Sequence, residues 1–194
     1  MLLDLTYPLG RKDIEASEAA VARHPHASRS DLFGHLGTHL DLMGKSWPED
    51  YFTRQGRIFD VRHVRQRDVG VADVPMDAVQ AGDFVFFHTG SLAEYGYATP
   101  EYMQAGARLS WNLLRALTAH KVAMIGVDCS GVRLPEEHRQ ADLFCAEAGS
   151  FVVENVHNLE ALGRNAGQRP FCVRTFPLRL EDATGLPCRI LAEL

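Results

Sequence analysis

Cysteine is scarce in this chain and carries no pattern: Cys129, Cys145, Cys172 and Cys188 lie far apart, with no CxxC. That excludes a disulfide framework and a cysteine-held zinc knuckle and leaves buried free thiols, with Cys129 the one placed to line a pocket. Long apolar runs are missing as well. No stretch approaches the roughly eighteen residues of a membrane span, and Met1-Leu-Leu-Asp4 has neither the basic start nor the apolar run of a signal peptide, so a cytoplasmic protein with no membrane partner is expected. There is also no basic block. The net charge is −5 and the arginines between Arg54 and Arg115 are interleaved with acids and apolar residues, which speaks against a nucleic-acid partner. Internal repeats, low-complexity tracts and interdomain linkers are absent, so residues 1–194 read as one domain with a sizeable core.

What is present alternates between strand and helix signals. Strands are expected at Leu2 to Tyr7, Ile58 to Val64, Asp83 to His88, Val122 to Val127, Phe151 to Glu154, Cys172 to Leu180 and Cys188 to Leu191. Helices are expected at Asp13 to Arg23, Ser110 to Leu117 and Glu136 to Ala148. That is a mixed α/β domain. The segment from Ser91 to Pro100 reads as a mobile loop near a site.

One segment carries chemistry. His35-Leu-Gly37-Thr38-His39-Leu-Asp41 packs two imidazoles and a carboxylate into seven residues, a donor set suited to zinc or manganese with positions left open for water or substrate. Fully extended, His35 and His39 would stand roughly 13 Å apart at Cα, so Gly37 must bend the chain to let the rings converge. From His39 to Asp41 the spacing of a strand keeps both side chains on one face. The motif is therefore expected on a kinked, partly extended segment. A surface turn with backbone-bonded histidines is the blander alternative.

Other polar groups sit where an apolar run does not explain them. Glu154 ends Phe151-Val-Val, where a carboxylate is expensive to bury without a cation or donors. Asp142 lies twelve residues earlier on the expected helix. Asp128 follows Ile125-Gly-Val and can cap a turn rather than react. His88 closes an apolar strand as either a core histidine or a substrate-binding group, and Trp47, Trp111, Tyr95 and Tyr97 either wall an aromatic pocket or simply pack.

These residues resemble a known family, the cyclase or bacterial kynurenine formamidase group of metal-dependent hydrolases, with its HxGTHxDxPxH signature. The match runs through His35-Leu-Gly37-Thr38-His39-Leu-Asp41 and is accompanied by Asp4-Leu-Thr-Tyr-Pro8, Thr89-Gly90, Gly126-Val-Asp128-Cys-Ser130, Val153-Glu154-Asn155 and the closing Pro177-Leu-Arg-Leu and Gly185-Leu-Pro187-Cys-Arg189. The resemblance implies an α/β domain of the swivelling β/β/α type with a mixed sheet, usually a homodimer, with zinc or manganese activating water. It makes His35, His39, Asp41 and Glu154 metal ligands, with Asp41 able to bridge two ions. Two positions depart from the pattern. Met43 and Lys45 stand where the family has Pro and a proton-shuttling His, and Asp142 stands where it has a further ligand His, with His138 one turn away as a substitute although the register given by Gly149 favours Asp142.

Three functions follow: hydrolysis of a small amide, formamide or cyclic amide; a catalytically silent metal- and ligand-binding relative; or a lyase or dehydratase in which Lys45 removes a proton beside a metal-held carbonyl. The hydrolase leads, with Lys45 as the altered catalytic position, Asp142 among the ligands, and His88 and Trp47 toward a small-molecule substrate. A charge balance in which Lys45 pairs with Asp142 favours one ion per chain. Trp47, Phe52 and Phe59 are expected to bury surface against a second copy.

Overall fold

The computed structural model describes residues 1–21, 33–104, 108–181 and 183–194, with side chains outside 17–21. Its spine is a sheet whose strands, in chain order, are β1 (Leu2–Asp4), β2 (His39–Asp41), β3 (Thr53–Asp60), β4 (Phe84–His88), β5 (Met124–Val127), β6 (Phe151–Glu154), β7 (Phe171–Pro177) and β8 (Gly185–Glu193). Strand order is β1-β8-β2-β6-β5-β4-β3-β7, and β7 also pairs with β8. The described strands other than β1 thus close into a seven-stranded barrel-like ring, with β1 paired to the last residues of β8, beyond the stretch of β8 that pairs with β2. Strands β3 to β6 run parallel to one another, whereas β2, β7 and β8 are antiparallel to their neighbours.

The sequence pattern explains the burial. Parallel strands are covered on both faces and lose polar alternation, and Phe84-Val-Phe-Phe-His88 is buried throughout. Alternate residues enter two separate cores. Phe84, Phe86, Val153 and Leu40 join the one that includes α6 (Leu159–Ala166); Val85, Phe87, Ile125 and Val152 join the other, beneath α4 (Trp111–Ala119) and α5 (Pro135–Glu147). α5 starts with Pro135 at its first position and Glu136 and Glu137 in its first turn, both favourable at a helix N-terminus. It ends where Gly149, at φ +79°, turns the chain so that Ser150 N–H reaches the Cys145 carbonyl at 2.9 Å.

Several expectations shift in detail. The strand expected at Ile58 to Val64 is Thr53–Asp60, starting earlier because its first half pairs with β7. Ser91 to Pro100 is not a plain loop: α2 (Ser91–Tyr95) fills half of it, and α3 (Pro100–Gln104) begins at its end. Helix α1 covers Arg11–Val21, and the end expected at Arg23 lies outside the described residues. Leu159–Ala166 went unread as a helix, having only eight residues. Cys129, Cys145 and Cys188 are buried and Cys172 half-buried, all as free thiols. No described helix is long and apolar enough to cross a membrane.

Candidate metal centre

The site begins with the bend at Gly37. Its φ of +63° is a left-handed conformation open to glycine at little cost, and it folds His35 back so that the two rings lie edge to face with centroids 4.9 Å apart. His39 and Asp41 then enter β2, both buried. Register does the rest. His39 stands directly opposite Glu154 of β6, and Asp41 opposite Gly185 of β8, so the three side chains share one face of the sheet. Gly185 matters by having no side chain: a Cβ there would come within 2.8 Å of the His35 ring and 2.9 Å of the Gly34 carbonyl.

The donor atoms converge. His35 Nδ1 lies 3.0 Å from Asp41 Oδ1 and 3.2 Å from His39 Nε2, and His39 Nε2 lies 3.6 Å from Asp41 Oδ1 and 3.5 Å from Glu154 Oε2. Donors about 2.1 Å from a tetrahedrally held ion stand about 3.4 Å from each other, which these separations approach. A second set closes from α5. His138 and Asp142 are one turn apart, and His138 Nε2 lies 3.1 Å from Asp142 Oδ2 and 2.7 Å from Glu154 Oε1. Two overlapping groups result, His35, His39 and Asp41, and Asp41, His138, Asp142 and Glu154, with Asp41 in both.

Electrostatics marks the place as built for a cation. Three carboxylates are buried within one cluster, an arrangement whose desolvation only strong partners can offset. Asp41 Oδ2 and Asp142 Oδ1 are buried without a hydrogen bond, and such orphaned acceptors are what an ion would satisfy. Burial pushes the Asp142 carboxyl well above the usual range, with the neighbouring Asp41 charge adding to it. Glu154 lifts His138 to about 10 against the effect of burial. For Asp41 burial works upward, but His39, His35 and His138 hold it below the ordinary carboxylate value. Burial also opposes charge on His35, and Asp41 outweighs it and raises the imidazole. The residues present therefore fit a divalent ion.

Not every expected residue is here. Lys45 is exposed in the turn after β2, among the described residues it forms no ion pair, and the contact expected between it and Asp142 is replaced by His138. The Gly149 register favours Asp142 at the family position over His138, the substitute one turn away, whereas the structure brings both to the site. The i, i+4 spacing puts both on the same helix face, and this was the signal available in the sequence. His88 follows Phe84 and Phe86 onto the opposite face of the sheet. There it lines a cleft of about 730 Å³ with Ile58, Asp60, Arg62, Glu160 and Arg164, burial holding its imidazole below the usual value. Trp47 packs on Tyr51, Phe52 and Phe151 at the margin of a core, so its place is in packing rather than beside the donors. Asp128 caps a turn, accepting from the Thr89 and Gly90 amides at 2.7 and 2.8 Å. Sequence reasoning missed Thr184, whose Oγ1 lies 3.0 Å from His35 Nε2.

Fold and donors together define an α/β barrel-like domain with a buried histidine and carboxylate centre suited to divalent ions. The chain belongs to the Cyclase family, whose model matches residues 3–132. No curated protein matches it. Among solved structures it is similar to a potential metal-dependent hydrolase with cyclase activity, at 20% identity and TM-score 0.72, covering 99% of this chain and 96% of that one. Isatin hydrolase A from Labrenzia aggregata, bound to benzyl benzoate, is similar at 15% identity and TM-score 0.73, with coverages of 99% and 93%. Isatin hydrolase A from Ralstonia solanacearum gives 18% and 0.71, with 99% and 91%. At these identities the likeness establishes the fold.

Proposed function

We propose that the protein is a metal-dependent hydrolase of a small amide, formamide or cyclic amide. The observation that carries this is the gathering of three imidazoles and three carboxylates into two overlapping donor groups that share Asp41, with Asp41 Oδ2 and Asp142 Oδ1 buried without hydrogen bonds. Similar structures named as metal-dependent hydrolase and isatin hydrolase support the reaction class, isatin being a cyclic amide. A divalent ion held there would supply the Lewis acidity that activates water and polarises a carbonyl.

The chain's own residues divide the work. His35, His39 and Asp41 would hold one ion, and His138, Asp142 and Glu154 with Asp41 a second, zinc and manganese both being compatible with nitrogen and oxygen donors. The one-ion balance rested on Lys45, and with Lys45 exposed its ammonium leaves the ledger. His138 moves the helix-borne imidazole one turn from the family position while keeping it on the same face. The lyase reading loses its base for the same reason. Hydrolysis is the reading retained. We further propose a homodimer built on an apolar surface beside β7.

Elemental mass spectrometry on protein purified without added metal is expected to find zinc or manganese. A screen of small amides and lactams should then give turnover that a chelator removes and that His39→Ala lacks. Protein free of divalent metal that also gains no turnover on metal addition would overturn the reading.

A further inference from the structure

His39 faces a choice of tautomer on which any metal binding depends. Its Nε2 looks toward Asp41 and Glu154, two acceptors that would each welcome a hydrogen there, yet a metal needs that lone pair bare. The decision falls at the other ring nitrogen. Nδ1 lies 2.9 Å from the Gly37 carbonyl oxygen, which can only accept, so a bare Nδ1 would set two lone pairs against each other.

The Gly37 carbonyl is itself held. Asn155 Nδ2 donates to it at 2.8 Å, and the Asn155 backbone carbonyl accepts from Thr38 Oγ1 at 2.8 Å, so one residue grips the peptide unit on both sides of the Gly37 to Thr38 step. The amide cannot be turned round. Its Oδ1 accepts the Tyr102 hydroxyl at 2.5 Å, and Tyr102 is a fully buried phenol kept neutral by burial. Reversing the amide would set its oxygen against the Gly37 carbonyl, which can only accept, and would turn the Tyr102 hydroxyl from donor to acceptor. Asn155 Nδ2 also stands 3.4 Å from His39 Nδ1, a longer contact than its 2.8 Å bond to Gly37 and a poorer partner for Nδ1 than the Gly37 carbonyl at 2.9 Å. Asn155 takes up a φ of +56°, a conformation asparagine accepts more readily than most residues, directly after the donor Glu154. Gly37 without this clamp has the freedom of glycine to rotate its carbonyl away.

We propose that Asn155, oriented by Tyr102, is a positioning residue that fixes His39 as the Nδ1–H tautomer through the Gly37 carbonyl and so presents Nε2 to a divalent ion. The inference rests on the metal-centre reading for its purpose, and its readout does not. Outer partners of this kind are worth about 10- to 100-fold in metal affinity.

The test is the nitrogen-15 spectrum of the histidine side chains in the full chain, recorded metal-free and with zinc, for the wild type, Asn155→Leu, Tyr102→Phe and the double variant. The wild type is expected to carry its His39 hydrogen on Nδ1. In Asn155→Leu the hydrogen should be divided between the ring nitrogens, with zinc affinity lowered about 10- to 100-fold. Tyr102→Phe should shift both in the same direction by less, and add nothing in the Asn155→Leu background, whereas a packing role would lower melting temperature additively and leave the tautomer alone. A His39 hydrogen on Nε2 in the wild type overturns the proposal, as does one unmoved from Nδ1 in Asn155→Leu. Should that variant not fold, the same readout on Tyr102→Phe decides. A wild type that takes up no zinc would sink the hydrolase reading, while the metal-free tautomer still decides this one.

Discussion

Gly185 shows how a single missing side chain shapes the centre. His35 is the most accessible of the motif's donors, 35% exposed, and it is kept over the site by leaning across Gly185, with Thr184 beside its outer nitrogen. Adding a methyl group at Gly185 forces a contact under 3 Å with both the His35 ring and the Gly34 carbonyl. The backbone cannot yield on both sides, since Gly185 is in register with Asp41 in β2. Gly185→Ala is expected to destabilise the fold by about 1–3 kcal/mol and to weaken binding at the His35, His39 and Asp41 group more than at the His138 group. Chemical denaturation and a zinc titration of the variant measure the two effects. Equal loss at both groups would mean that His35 is not the residue displaced.

Helix α5 brings a pH dependence with it. His138 is lifted to about 10 from an ordinary value of 6.5, chiefly by Glu154, and Asp142 is raised by burial. Both groups bind protons more tightly folded than unfolded. Their contribution to the stability of the metal-free chain is therefore complete below the unfolded values and is lost as pH rises, for His138 between 6.5 and about 10. A metal ion competes for the same lone pairs, so its affinity should climb by about tenfold per pH unit over that window as the His138 proton is displaced. Chelator-competition titrations at several pH values, in buffers of differing ionisation enthalpy, count the protons released. A flat profile would place His138 outside the coordination shell. This element was also the hardest part of the site to read. His35, His39 and Asp41 fall within seven residues and their spacing declares itself, and Glu154 stands out as a carboxylate ending an apolar run. Choosing between His138 and Asp142 was never a matter of spacing, because a helix turn presents both, and the structure uses both. Lys45 and Trp47 lie only a few residues beyond the motif, but proximity in sequence does not survive the turn after β2, which carries the lysine out to solvent.

At the scale of the molecule, the strands and the longer helices α1, α4 and α5 were legible from apolar patterning, whereas the shorter α2, α3 and α6 were not, and neither was ring closure, because β7 pairing with both β3 and β8 is a long-range choice that no local signal encodes. That closure has a surface consequence. Of the residues expected to meet a second copy, Phe59 turns inward onto Phe87 and Trp47 is half covered, so the expected set does not survive intact. What remains is different in composition. Phe52 is 38% exposed and packs against Phe176, itself 47% exposed, and Leu178 beyond it is 48% exposed. Clustered apolar groups of this kind mark association surfaces more often than scattered ones do, and a two-fold contact is the commonest way soluble proteins cover them. Placing a charge in that patch leaves the core untouched, since Phe176 is exposed and lies in β7, which β8 separates from β2. Phe176→Glu should therefore leave metal content and melting profile close to the wild type while shifting a dimer toward monomer at micromolar concentration. Light scattering on both proteins reads the outcome: a wild type already monomeric, or a variant as dimeric as its parent, would assign the association surface elsewhere or to nothing.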